Sequence, residues 1–127
     1  MCLQFPLLTY NLMVVDSPIL DELTSDEVDR IFGALADATR RDILTRVLGR
    51  EQSVSNLAEG YAMSFAAVQK HVAVLERAAL VTKHRNGREQ IVHGRPAALQ
   101  RAASLLDTYE EIWRARVRSI ETILSED

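Results

Sequence analysis

Asn86-Gly87 stands between two short β-prone runs, Val81 to Arg85 and Gln90 to His93. The other patterned segments of the chain all repeat with helical spacing. Asn-Gly is the strongest short-range signal for a tight hairpin, because a two-residue type I′ turn needs positive φ at both central positions. A single small hairpin therefore has to be placed among helices.

Helical periodicity begins near Ser25, with Val28, Ile31, Phe32 and Leu35 on one face. After a break at Ala36 to Thr39, Asp37 or Thr39 can cap a second helix carrying Ile43, Leu44, Val47 and Leu48, which Gly49 ends. A short helix, Val54 to Glu59, follows between Ser53 as N-cap and Gly60 as stop. Ser64 opens a longer one to about Ala78, with Val68, Val72 and Leu75 facing inward. Beyond the hairpin, Pro96 starts a final helix whose apolar stripe reads Leu99, Ala103, Leu106, Tyr109, Trp113, Val117, Ile120, Leu124. The expected fold class is mainly α with a small β-hairpin, in the order α-α-α-α-β-β-α.

At 127 residues the chain is one domain's worth, long enough for a real core without staples. One cysteine, Cys2, excludes an internal disulfide and a multi-cysteine zinc site, and fits a reducing cytoplasm. The first fifteen residues are apolar and uncharged. They are too short to span a bilayer, where about 20 residues are needed, and Pro6 and Asn11 interrupt them. They lack the positive start of a secretory signal. Either they form an ordered extension or translation begins at Met13. The expected division is an extension over 1–24 and one domain over 25–127, and no membrane partner is expected.

The net charge of −3 argues at first against a nucleic-acid partner, but its distribution reverses the argument. Residues 1–29 sum to −6, residues 30–101 to +6 and residues 102–127 to −3. A basic middle between acidic flanks points to a nucleic-acid surface.

Two short helices separated by Gly60 to Met63 form a helix-turn-helix pattern, and the basic hairpin after them is a wing. Here the chain resembles the ArsR/SmtB-type winged helix-turn-helix repressors of bacteria. The resemblance covers about residues 28–113 and rests on ALADATRRDIL (34–44), SVSNLAEG (53–60), MSFAAVQKHVAVLERAALV (63–81) and HRNGRE (84–89). It implies a dimeric, sequence-specific regulator of transcription. Its recognition helices would enter successive major grooves of a near-palindromic operator, and repression would be relieved by an effector. Three departures from the family pattern stand at Gln69, Ala73 and Ala79, so the operator sequence does not carry over. Ala79 replaces a usual glycine, at a cost of roughly 1 kcal/mol if the site is left-handed.

Candidate DNA-binding residues are Ser64, Gln69, Lys70 and His71 on the recognition helix, and Arg85, Asn86 and Arg88 on the wing. Ser64 caps the helix and can bond phosphate. Gln69 suits adenine, and Lys70 suits guanine or phosphate. His71 faces either the groove or the protein. Of Arg40 and Arg41, one contacts phosphate and the other pairs with an acid, in an order left open. The last helix has more apolar face than one body of this size can cover, which makes Leu106, Tyr109, Trp113, Val117 and Ile120 candidate homodimer contacts.

Metal-sensing members carry a Cys-x-Cys pair on the helix matching 54–59, or Asp/His ligands on the last helix. Neither is present here. His84 and His93 can approach each other across the hairpin, but two histidines without a carboxylate partner make a poor site. No metal and no cofactor is expected; the chain resembles a member that answers to another effector, of undefined chemistry, or represses constitutively. The glycines all fall at helix ends or turns and the acids cluster at the termini, so an enzyme is not expected. The alternative from another class is a winged helix used for protein-protein contact without an operator.

Overall fold

The computed structural model describes residues 24–125. The expectations for Cys2, Met13 and the apolar start lie outside the described residues. The chain divides into two compact units, one over Ser25–Gln100 and another that contains the described residues from Arg101 onward.

In the first unit, α1 (Ser25–Leu35) is followed by α2 (Ala38–Gly49), a two-residue strand β1 (Gln52–Ser53), α3 (Val54–Glu59) and α4 (Phe65–Arg77). Then come β2 (Val81–Asn86), β3 (Glu89–Gly94) and the start of α5 (Pro96–Ser125). The expected order is observed with one addition. β1 pairs antiparallel with β3 through Gln52–Val92 and Ser53–Ile91, giving a three-stranded sheet in the order β1-β3-β2.

The starts of α2, α3 and α4 are each set by a side-chain cap. The Arg40 amide donates to Asp37 Oδ2 (3.0 Å), the Asn56 amide to Ser53 Oγ (3.0 Å) and the Ala67 amide to Ser64 Oγ (3.1 Å). Each cap satisfies an amide that has no partner within its helix. The core of this unit joins the inner faces of α1 to α4 with one face of the sheet. Ile31, Ile43, Leu57, Val68, Val72, Leu75, Leu80 and Val92 are fully buried there. Burying one such side chain contributes about 1.5–3 kcal/mol, so these contacts orient α4 against the rest.

Two local expectations are corrected. Gly49 does not take a left-handed conformation. The chain leaves α2 through extended Arg50, whose amide donates to the Arg46 carbonyl. Leu48, in the apolar pattern of the same helix, is exposed while Ile43, Leu44 and Val47 are buried. The hairpin turns on Gly87-Arg88 rather than Asn86-Gly87, since Asn86 pairs with Glu89. Within the hairpin, positive φ is confined to Gly87 (67°), the first of the two turn residues, which is the type II′ pattern.

α4 ends in a Schellman motif. The Leu80 amide donates to the Leu75 carbonyl (3.0 Å) and the Ala79 amide to the Glu76 carbonyl (2.9 Å). Ala79 takes φ 61°, the left-handed geometry anticipated for this position.

In the second unit the described chain is the continuation of α5. Its buried residues Ala102 and Leu105, with Ala98 before them, are not the expected stripe. That stripe is exposed at Ala103, Leu106, Tyr109, Trp113, Ile120 and Leu124.

Candidate nucleic-acid interface

α3 and α4 pack against each other across the turn at Gly60 to Ser64. Val68, Val72 and Leu75 turn inward and Gln69 and Lys70 lie exposed on the outer face of α4. Spacings of three and four bring inward side chains to one stripe, and residues one position on leave it. The Ser64 hydroxyl oxygen accepts from the Ala67 amide, and its proton stays available to a phosphate oxygen.

Phe65, in the first turn, is 47% exposed although apolar. Sequence reasoning missed it; the signal was a large apolar residue directly after the N-cap. His71 stands apart from Gln69 and Lys70. It is half-buried, with Nδ1 3.4 Å from Arg40 Nη1 and 3.9 Å from Asp37 Oδ2. It therefore faces the start of α2 instead of the outer face of α4.

Neither Arg40 nor Arg41 forms a salt bridge with an acid among the described residues; both turn to backbone carbonyls. Arg40 donates to the carbonyls of Ala34 (2.8 Å) and Gly33 (3.1 Å), and Arg41 to that of Leu35 (2.8 Å). Both cap the C-terminal end of α1, where unpaired carbonyls attract cations. The Arg40 amide bond to Asp37 is also the main cause holding that carboxyl below its usual range; nearby Arg40 and His71 charge add to it.

The turn before α4 is held by Tyr61. Its hydroxyl donates to Asp42 Oδ2 (2.5 Å), and Asp42 bridges Arg46 (3.2 Å). The Arg46 guanidinium lies 4.7 Å from the centre of the Tyr61 ring. A Cβ at Gly60 would meet that guanidinium, so a side chain there would push the flexible end of Arg46 aside. Partial burial, then the bond to Asp42, pushes the phenol up to about 12.

The wing extends through Arg85, Asn86 and Arg88, all exposed. Lys83 pairs with Glu76 (3.7 Å). Lys70, Arg85 and Arg88 have no carboxylate partner among the described residues. Among the described residues no group of three or more His, Cys, Asp or Glu side chains is arranged around a metal position. No helix among them is long and apolar enough to cross a membrane.

A helix pair with an exposed, capped second helix, followed by a basic hairpin, defines a winged helix-turn-helix DNA-binding regulator. No protein-family model matches the chain. Curated relatives do. The transcriptional repressor SdpR of Bacillus subtilis is 30% identical over 60 residues, which are 47% of this chain and 67% of SdpR. The HTH-type transcriptional regulator Rv2034 of Mycobacterium tuberculosis is 35% identical over 81 residues, 64% of this chain and 76% of the relative. An ArsR-like transcriptional regulator from Rhodococcus sp. RHA1 superimposes with a TM-score of 0.69 at 34% identity, covering 77% of this chain and 92% of that one. The homodimeric winged helix-turn-helix domain Mb0332 of Mycobacterium bovis shares the fold, at a TM-score of 0.57 and 24% identity over 78% of this chain and 92% of that one. The chain belongs to the ArsR family of helix-turn-helix transcriptional regulators.

Proposed function

We infer that the chain is a homodimeric repressor that binds a near-palindromic operator. The observation that carries this reading is the set of unneutralised cations Lys70, Arg85 and Arg88 on the exposed α4 and wing. α4 enters the major groove, where Gln69 reads a base edge, Lys70 meets guanine or phosphate and Phe65 meets a thymine methyl. Ser64 bonds a backbone phosphate. Arg85, Asn86 and Arg88 carry the wing to neighbouring phosphates or the minor groove.

A homodimer places two such helices on successive major grooves, roughly 34 Å apart. Support for it comes from α5, where Leu106, Tyr109, Trp113 and Ile120 are exposed and Val117 is half-buried. Repression is the simplest consequence of occupying an operator, and SdpR, a named repressor, shares sequence with this chain.

The test is binding to duplex DNA as a function of salt. With three cations per protomer engaged, log K falls against log salt with a slope of about −5. Binding that is absent, or flat in salt, overturns the reading and leaves the winged helix as a protein-contact module.

A further inference from the structure

We propose that His84 and His93 form a two-histidine site for a borderline divalent transition ion, Zn²⁺, Ni²⁺ or Cu²⁺, at the base of the wing. This reverses the sequence expectation of no metal site. The objection there was the lack of a carboxylate partner; the structure supplies one behind His93, as a hydrogen-bond acceptor and not as a ligand.

His84 on β2 and His93 on β3 are diagonal neighbours, since His84 pairs with Ile91 and His93 with Thr82. Their rings stack with centroids 4.4 Å apart at 21°, and their Nε2 atoms are 3.4 Å apart. Two imidazole nitrogens bound at 2.0–2.1 Å to one tetrahedral ion are separated by about 3.3–3.4 Å. That separation is therefore already present; the stacked rings do not yet aim both lone pairs at one point, so binding requires the exposed His84 ring to swing out of the stack.

Glu51 decides which nitrogen of His93 is free. Its Oε2 lies 2.9 Å from His93 Nδ1, so that nitrogen carries the proton and Nε2 presents a lone pair. A carboxylate behind a ligating imidazole is the usual outer-shell arrangement of histidine metal sites. Glu51 reaches this position because Gln52, its neighbour, pairs with Val92, which puts Glu51 beside His93 at the end of β1. It lies behind His93 rather than between the rings, so it orients a ligand and is not one itself. Without an ion, the two Nε2 atoms share one proton, held by His84. Metal binding sends that proton to His84 Nδ1, and no net charge leaves the ring. Water completes the coordination. Imidazole donors with open positions favour the late first-row ions over Mg²⁺ or Ca²⁺.

The ion clasps the two strands of the wing together between Lys83 and Arg85. Metal binding does not depend on the operator reading, so the two fail separately. The experiment is titration of the full chain with Ni²⁺ by calorimetry, with circular dichroism confirming that each variant is folded. One ion per chain is expected. His84→Ala and His93→Ala each weaken binding at least about tenfold. Glu51→Gln, which keeps a hydrogen-bond acceptor but removes the charge, weakens it about tenfold or more. No uptake by the wild-type chain, or unchanged affinity in the His84→Ala/His93→Ala double variant, overturns the site.

Discussion

The Tyr61 hydroxyl donates a 2.5 Å hydrogen bond to Asp42, tying the turn of the helix-turn-helix to α2. Removing it leaves the ring under Arg46 in place and leaves Asp42 with Arg46 as its remaining donor. Tyr61→Phe is expected to cost about 1 kcal/mol in urea unfolding. Because the folded phenol sits at about 12 and the ordinary value is 10.0, the folded state holds its proton more tightly. That contribution is complete below pH 10 and is lost as pH rises from there towards 12. Tyr61→Phe should therefore lose less stability than the wild type across this window, and parallel pH profiles would contradict the linkage.

Ala79 holds a left-handed conformation that glycine adopts without a Cβ clash, while its amide and that of Leu80 close α4. Ala79→Gly should stabilise the fold by about 1 kcal/mol despite the entropy that glycine adds to the unfolded chain. Ala79→Val should destabilise it. Thermal melts of the two variants check the pair, and a fall in Tm for the glycine variant would contradict the strain.

Asp37 caps α2 and its carboxyl is held below 3.8, chiefly by the Arg40 amide. A depressed carboxyl contributes its stability above the ordinary value and loses it as pH falls through the folded one. Asp37→Asn keeps a capping oxygen but cannot titrate. Its denaturation midpoint should thus fall less steeply than the wild type's as pH drops below about 4.

Much of this was legible in local chemistry. Ser53 and Ser64 announce α3 and α4 because a hydroxyl before an apolar repeat satisfies an otherwise unpaired amide. Asn86-Gly87 announces the hairpin but not its register. One positive φ at Gly87 suffices when Arg88 follows it, so both strands extend by a residue and Asn86 joins the ladder. β1 was illegible because two residues carry no period and their partner, β3, is nearly forty residues away. The same distance hid Glu51 from His93. The carbonyl contacts of Arg40 and Arg41 were not legible, because nothing local marks a guanidinium that reaches back to the last carbonyls of the preceding helix. On α5, small Ala98 and Ala102 carry weak apolar signal, so the larger, exposed side chains dominated the pattern.

The proposed interface separates base reading from charge. Gln69→Ala should relax preference at one operator position by about 1–3 kcal/mol and leave the salt slope unchanged. Lys70→Ala or Arg88→Ala should weaken all duplexes and flatten the slope by about 1 for each phosphate that is no longer neutralised. Fluorescence anisotropy on operator and scrambled DNA at several salt concentrations distinguishes them. A change of slope in Gln69→Ala would mean that α4 approaches the backbone instead of the groove floor.

The exposed face of α5 sets the last expectation. Tyr109 is 58% and Trp113 62% exposed, four residues apart on a helix that also exposes Leu106 and Ile120. Apolar side chains exposed at helical spacing along one face are of the kind a second copy of the helix would cover symmetrically. Trp113→Glu places a charge in that interface, and an unpaired buried carboxylate is costly enough to dissociate the pair. Sedimentation should give a dimer for the wild type at micromolar concentration and a monomer for the variant. The variant should also lose operator affinity far more than a single distant substitution warrants, because two half-sites are no longer engaged together. A wild-type monomer with full operator affinity would remove the two-fold mechanism while leaving the proposed DNA-binding role of α4 and the wing standing.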